Sequence, residues 1–146
     1  MRIREANGGD RERLRELYTH FVNEIPAPPG IPVDIEHELG ELDDYLGDQN
    51  VALVAEDDGG SVVGFALAKI EHPGIGHLSD IYVVPGARRQ GAARELIREA
   101  AIRLRDREDA EVLTLGVQVT NDDARTAYER LGFQPESLRL FASIEH

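Results

Sequence analysis

Apolar residues return along this chain with two different periods, and the switches between them lay out its elements. Residues 2–6 alternate as a short first strand. Leu14, Leu17, Tyr18, Phe21 and Val22 then recur at helical spacing, with Asp10 placed to cap the helix they define. The segment IPAPPGIP, residues 25–32, stops that helix, because proline lacks an amide donor and restricts the residue before it. It reads as an ordered loop. A second helix over residues 34–46 carries Ile35, Leu39, Leu42 and Leu46 on one side and acids on the other. In VALVAEDDGGSVVGFALAKI two apolar runs flank Asp57, Asp58, Gly59 and Gly60, the pattern of a hairpin whose turn needs positive backbone angles.

HLSDIYVV, residues 77–84, predicts another strand, followed by the loop PGARRQGAA and a long helix striped by Leu96, Ile97, Ala100, Ala101 and Leu104. VLTLGVQV, residues 112–119, is almost continuously apolar, as expected for a strand covered on both faces. A last helix runs from Asp122 to Leu131, capped by Asn121 or Asp122 and stopped by Gly132. The tail from Phe133 to Ile144 is expected to return as one or two strands. The order βαα-βββ-αβαβ describes an α/β (α+β) fold. With no repeat and no internal linker, residues 1–146 are expected to form a single domain.

Composition narrows the functional classes. The chain has 146 residues, a size usual for one domain, and no cysteine. Disulfides, thiolate metal sites and a cysteine nucleophile are therefore excluded, and a reducing cytoplasm suits it. No segment approaches the roughly 18 uncharged apolar residues of a membrane span, and the start, MRIREANGGDRERLREL, has no apolar stretch of a signal peptide. A soluble cytoplasmic protein without a membrane partner is expected. The net charge of -12 argues against a surface that neutralises nucleic-acid phosphates.

The two signs of charge are also separated along the chain. Between Arg15 and Lys69 there is no lysine or arginine, while Glu24, Glu36, Glu38, Glu41 and several aspartates fall in that stretch. Arg88, Arg89, Arg94, Arg98, Arg103, Arg105 and Arg107 crowd the later helix and the loop before it. The first region suits a cation, the second an anion.

The anion has an obvious place. Arg88-Arg89-Gln90-Gly91-Ala92-Ala93 lies where a strand gives way to a helix, and a helix N-terminus offers unpartnered amides and partial positive charge to a phosphate. Neither GxGxxG nor GxxxxGK followed by Ser or Thr occurs, so dinucleotide and P-loop fingerprints are absent. Val83-Val84-Pro85 leading into Arg88-x-x-Gly91-x-Ala93 instead resembles the acyl-CoA signature R/Q-x-x-G-x-G/A of the GNAT superfamily of N-acetyltransferases. Asn121-x-x-Ala124-x-x-x-Tyr128-x-x-x-Gly132-Phe133 is similar to a second motif of that superfamily. The resemblance covers most of the chain in element order. Ala93 replaces the commoner final glycine, and Gly86 and Ala87 stand where a larger residue often precedes the arginine.

The resemblance implies a mixed, mostly antiparallel sheet splayed between its fourth and fifth strands and flanked by about four helices, with acetyl-CoA as cosubstrate and no metal. It implies that the backbone of Tyr82, Val83 and Val84 pairs with the pantetheine arm and thioester, and that the amides of Arg88, Arg89, Gln90, Gly91, Ala92 and Ala93 hold the diphosphate. Asn121 would bond the pantetheine or serve only as a helix cap. Homodimers are common in the superfamily.

Transfer to an amine needs a neutral nitrogen, a donor for the developing oxyanion and an acid for the departing thiolate. Tyr128 stands at the family's acid position, and also reads as a core aromatic beside Ala124 and Leu131. The amide of Val83 or Val84 is the implied oxyanion donor. For the base, His77, Ser79 and Asp80 compete. His77 falls where serotonin acetyltransferases carry a histidine and several histone acetyltransferases a glutamate. Asp80, in LSDIYV, resembles the L-x-D-I/L/F-x-V of members that acetylate polyamines and aminoglycosides, and a carboxylate in an apolar strand is costly unless paired. A water relay to Glu24 or Glu36 stays open. The expected acceptor is a cationic amine, of a small molecule or a peptide; the alternative is a regulatory domain that binds acyl-CoA without turnover.

Overall fold

Asp57 makes the predicted hairpin turn. Its carboxylate accepts the N–H groups of Gly59 and Ser61 at 3.0 and 2.9 Å, and Gly60 takes a φ of 81°. The computed structural model to which the turn belongs describes residues 1–25, 32–47 and 50–144, in two compact units, Met1–Gly116 and Val117–His146.

The first unit runs β1 (Arg2–Glu5), α1 (Arg11–Glu24), α2 (Ile35–Tyr45), β2 (Val51–Glu56), β3 (Val62–His72), β4 (Ile75–Val83), α3 (Ala92–Glu108) and β5 (Val112–Leu115). The strands lie in the order β1-β2-β3-β4-β5, antiparallel except for the last pair. The β4–β5 pairing spans only Ile75–Leu78 against Val112–Leu115. Beyond it β4 continues to Val83 without β5, so the sheet opens between its fourth and fifth strands, as expected.

One face of the sheet is covered by α1 and α2. Leu14, Leu17, Tyr18 and Val22 of α1 and Leu39 and Leu42 of α2 pack with Val54, Val62, Phe65, Leu67 and Tyr82, each aliphatic chain adding about 1.5–3 kcal/mol by leaving water. The other face is covered by α3, whose Leu96, Ile97, Ala100 and Leu104 are buried. There Leu104 approaches β4 so closely that a Cβ on Gly76 would lie 2.7 Å from its Cδ1. Helix α1 ends at Glu24, as the prolines require; the ordered loop expected after it falls largely on residues 26–31, outside the described residues.

Three local expectations are corrected. Asp10 sits at the start of α1 but does not cap it. Its carboxylate accepts two bonds from the Arg4 guanidinium, 2.7 and 2.8 Å, and one from the Asn7 N–H, 2.8 Å. A fork of charged donors outcompetes a helix amide. Second, β5 stops at Leu115 rather than residue 119 and is not covered on both faces, since Val112 is 55% exposed. It lies at the end of the strand order and, among the described residues, pairs with β4 alone. Third, residues 133–144 form no strand, and Leu138, Leu140, Phe141 and Ile144 are exposed. The described part of the second unit contains no strand to satisfy their backbone groups.

What the second unit does contain is α4 (Asp122–Arg130). Asn121 caps it, accepting the Ala124 N–H at 3.2 Å, and Gly132, with a φ of 104°, turns the chain after it. Tyr128 and Phe133 meet edge to face, ring centres 6.0 Å apart.

Candidate active site

The site is shaped by one extra residue in β4. Its register with β3 pairs Asp80 with Leu67 and Leu78 with Ala68, so Ser79 bulges. Before the bulge, Gly76 and Leu78 face α3. After it, Asp80 and Tyr82 face α1 and α2, because the bulge reverses the alternation of the strand. A carboxylate that regular pairing would have buried under α3 is thereby delivered beneath α1 and the acidic α2.

Each polar group past the bulge meets a partner. The Tyr18 hydroxyl, from α1, donates to Asp80 Oδ2 at 3.4 Å, and Tyr45, from α2, shares a hydrogen bond with Ser79. Tyr82 donates to Glu24 at 3.3 Å. Arg88 donates through Nη2 to Glu24 at 2.9 Å and through Nε to the Val83 carbonyl at 2.7 Å, its guanidinium standing 5.5 Å from the Tyr82 ring centre. Burial pushes the Asp80 carboxyl up to about 6; the charges of Glu41 and Glu38 add to that rise, while the Tyr18 bond and Lys69 oppose it. Burial likewise raises the phenols of Tyr18 and Tyr82.

The open side of β4 follows from the ladder. Val84 N–H donates to the Val63 carbonyl on β3 at 2.8 Å, so, by the alternation of an antiparallel pair, the N–H and carbonyl of Val83 point away from β3. Arg88 takes that carbonyl, which leaves the Val83 amide facing the side from which β5 has departed.

Next comes a 3₁₀ turn at Pro85–Ala87 and then the arginine loop. Arg89 and Gly91 both have positive φ, 65° and 87°, and α3 starts at Ala92 with no side chain capping it. Its first intrahelical bond from the loop runs from Glu95 N–H to the Gly91 carbonyl, 3.0 Å, so the amides of Ala92, Ala93 and Arg94 have no partner one turn back. A Cβ on Gly91 would meet nothing within 4 Å, so glycine serves the backbone angle and leaves the approach open. A depression lined by Gln90, Gly91, Arg94, Glu95, Arg98 and Met1 lies there.

His77 stands apart from this group. It lies in the paired stretch of β4, opposite Thr114, and its Nδ1 is 2.8 Å from the Thr114 hydroxyl and 3.8 Å from Glu71. No hydrogen bond or ion pair joins it to Asp80 among the described residues. Tyr128 and Asn121 belong to the second unit, where burial raises the Tyr128 phenol and Asn121 caps α4. Among the described residues no group of three or more His, Asp or Glu could hold a metal ion, and no helix is long and apolar enough to cross a membrane.

The sequence reading missed Tyr18 and Tyr45. Tyr18 was counted in the apolar stripe of α1, and only its hydroxyl marks it out. A phenol in a core needs a partner, and Asp80 was the unpaired acid in the sequence.

Comparison with known proteins agrees with this layout. Over 89 residues, 60% of the chain, it is 37% identical to the N-terminal acetyltransferase complex ARD1 subunit homolog of Dictyostelium discoideum, a match spanning 44% of that protein. It is 28% identical over 145 residues to the uncharacterized N-acetyltransferase YhfO of Bacillus subtilis (strain 168), covering 94% of this chain and 92% of that one. Among solved structures, a ribosomal-protein-alanine N-acetyltransferase from Brucella melitensis superposes with a TM-score of 0.72 at 28% identity, covering 92% of this chain and 85% of that one. The aminoglycoside N-acetyltransferase AAC(6')-Iy in complex with CoA shares the fold, with a TM-score of 0.79 at 23% identity over 99% of this chain and 95% of its own. The profile of the acetyltransferase (GNAT) family matches residues 13–133, and with a bulged β4, an open β4–β5 junction and an uncapped α3 in place, the chain belongs to that family.

Proposed function

We propose that this chain is an acetyl-CoA-dependent N-acetyltransferase for a primary amine on a cationic small molecule or a peptide, working by direct attack. The observation that carries the reading is the setting of Asp80: a half-buried carboxylate beside the sheet opening, faced by Glu38 and Glu41 and held by one phenol. Such a place attracts an ammonium ion and can take its proton. Relatives named for aminoglycosides and for ribosomal-protein alanine support both ends of that acceptor range. The family profile reaches from the first unit into the second, which supports reading residues 1–146 as one acetyltransferase domain.

The residues present suit the cosubstrate. The amides of Gln90, Gly91, Ala92 and Ala93, with Arg89, would hold the diphosphate, since they line an open, glycine-bent helix start. The amide of Arg88 contributes less, because it already donates to the Pro85 carbonyl at 3.4 Å. The backbone of Tyr82, Val83 and Val84 would receive the pantetheine arm. Acetyl-CoA supplies an acyl group activated as a thioester. Of the two candidate oxyanion donors, the Val83 amide is favoured by direction, as the Val84 amide is bonded to β3. Asp80 accepts the ammonium proton, Tyr128 would donate one to the departing thiolate, as the family resemblance implies, and His77, bonded to Thr114, is the second candidate for the base. The absence of cysteine suits a cytoplasmic setting.

Release of free thiol from acetyl-CoA across a panel of polyamines, aminoglycosides and peptides, with mass detection of the product, tests the reading. Sustained silence with retained acetyl-CoA binding would leave the non-catalytic regulatory domain. Gly91→Glu is expected to weaken acetyl-CoA binding at least tenfold, from a strained left-handed residue and negative charge at the diphosphate. Wild-type affinity in that variant would remove the loop from the site.

A further inference from the structure

Tyr18 is 2% exposed, and its ring packs between Phe21 and Phe65, centres 5.6 and 5.8 Å away. Packing of that kind is served equally by phenylalanine, as its two neighbours show. The hydroxyl is an added cost in such a core unless it is bonded, and its partner is Asp80 Oδ2. Oδ1 of the same carboxylate engages no donor among the described residues, and is not among the buried oxygens left without one. One oxygen is thus tethered and the other left free. The groups facing Asp80 are Tyr18 from α1, Glu38 and Glu41 from α2 and Lys69 from β3, with Ser79 beside it held by Tyr45.

We propose that Tyr18 is a positioning residue for acetyl transfer: its hydroxyl fixes Asp80 through Oδ2, so that Oδ1 is the oxygen that takes the proton of the incoming ammonium. The proton passes from the amine nitrogen to Oδ1 and leaves the nitrogen lone pair free to attack. This rests on the reading of Asp80 as the base. Without the tether the carboxyl both rotates freely and loses the one hydrogen bond that favours its ionised form.

The test follows the Asp80 carboxyl by carbon NMR in aspartate-labelled protein, its resonance assigned with Asp80→Asn, alongside the pH dependence of kcat/KM. In Tyr18→Phe, the Asp80 midpoint is expected to rise by about 0.5–1 unit, as loss of one hydrogen bond to a charged group implies, and the acid limb of kcat/KM to rise with it. Tyr45→Phe, which removes a hydroxyl bonded to Ser79 and keeps the ring, should leave the Asp80 midpoint in place. Should Tyr18→Phe fold poorly, 3-fluorotyrosine at position 18 keeps the packing and, as a more acidic donor, should lower both midpoints. An Asp80 midpoint unmoved by both changes, while the rate still follows Asp80, overturns the role of Tyr18 alone. A midpoint that moves while the rate limb stays overturns Asp80 as base, and the positioning role with it.

Discussion

Two carboxylates sit inside the first unit, and their surroundings treat them in opposite ways. Asp10 is 6% exposed and receives three charged or backbone donors, from Arg4 and Asn7. The guanidinium holds it below the usual carboxylate range despite burial. Asp80 has one phenol at 3.4 Å, two glutamates for neighbours, and a carboxyl pushed up to about 6. The first is an acid fully satisfied by the fold, tying β1 to the turn before α1. The second is left short of partners by the fold, and a proton or an ammonium ion completes it. A buried acid by itself says little about function; its unmet demand for positive charge says much more.

Replacing each acid by its amide should separate the two roles. The largest expected effect is on rate: Asp80→Asn should lower kcat by about 100-fold or more, the usual range for losing a proton acceptor, measured as thiol release at saturating amine. Retained turnover would place the base elsewhere, with His77 or a water on Glu24 or Glu36 next in line. Asp10→Asn should leave the rate of the folded enzyme unchanged but cost about 2 kcal/mol at pH 7, since it leaves Glu56 as the one carboxylate bonded to Arg4 among the described residues. The sign of its pH dependence is fixed by the lowered native pKa: the contribution is complete above the ordinary carboxylate range and is lost as pH falls below it.

Asp80 runs the other way and by less. Because its native carboxyl titrates near 6, above the ordinary ~4, the folded state binds the extra proton between those values, and stability declines as pH rises through that window. Asp80→Asn should therefore be more stable than the parent by about 1–2 kcal/mol at pH 8, an advantage that fades below pH 4 in denaturant melts. A destabilised Asp80→Asn at pH 8 would mean that Asp80, too, is structural. The trade of stability for activity belongs to sites of this kind.

Much of this arrangement was legible in the residues. The helices, the Asp57–Gly60 turn and the strand–loop–helix passage around Gly91 follow from local pattern, and local pattern is what a sequence displays. Asp80 stood out because a carboxylate in an apolar strand needs a reason. What escaped depended on partners distant in the chain. Asp10 looked like a helix cap, since nothing near it announces that Arg4 crosses from β1 with a better offer of donors. The run at residues 112–119 looked fully buried because an apolar stretch cannot state how many neighbours its strand will have. The Ser79 bulge, which decides the face on which Asp80 appears, exists only in the register between two strands and has no signature in either one.

Strands that part leave backbone groups reaching for a mate, and any stray extended segment can supply one. In the first unit Arg88 lays its guanidinium on the Val83 carbonyl at that vulnerable margin and is itself moored to Glu24. The residue at the head of the anion loop thereby occupies one of the backbone acceptors that an added strand would need.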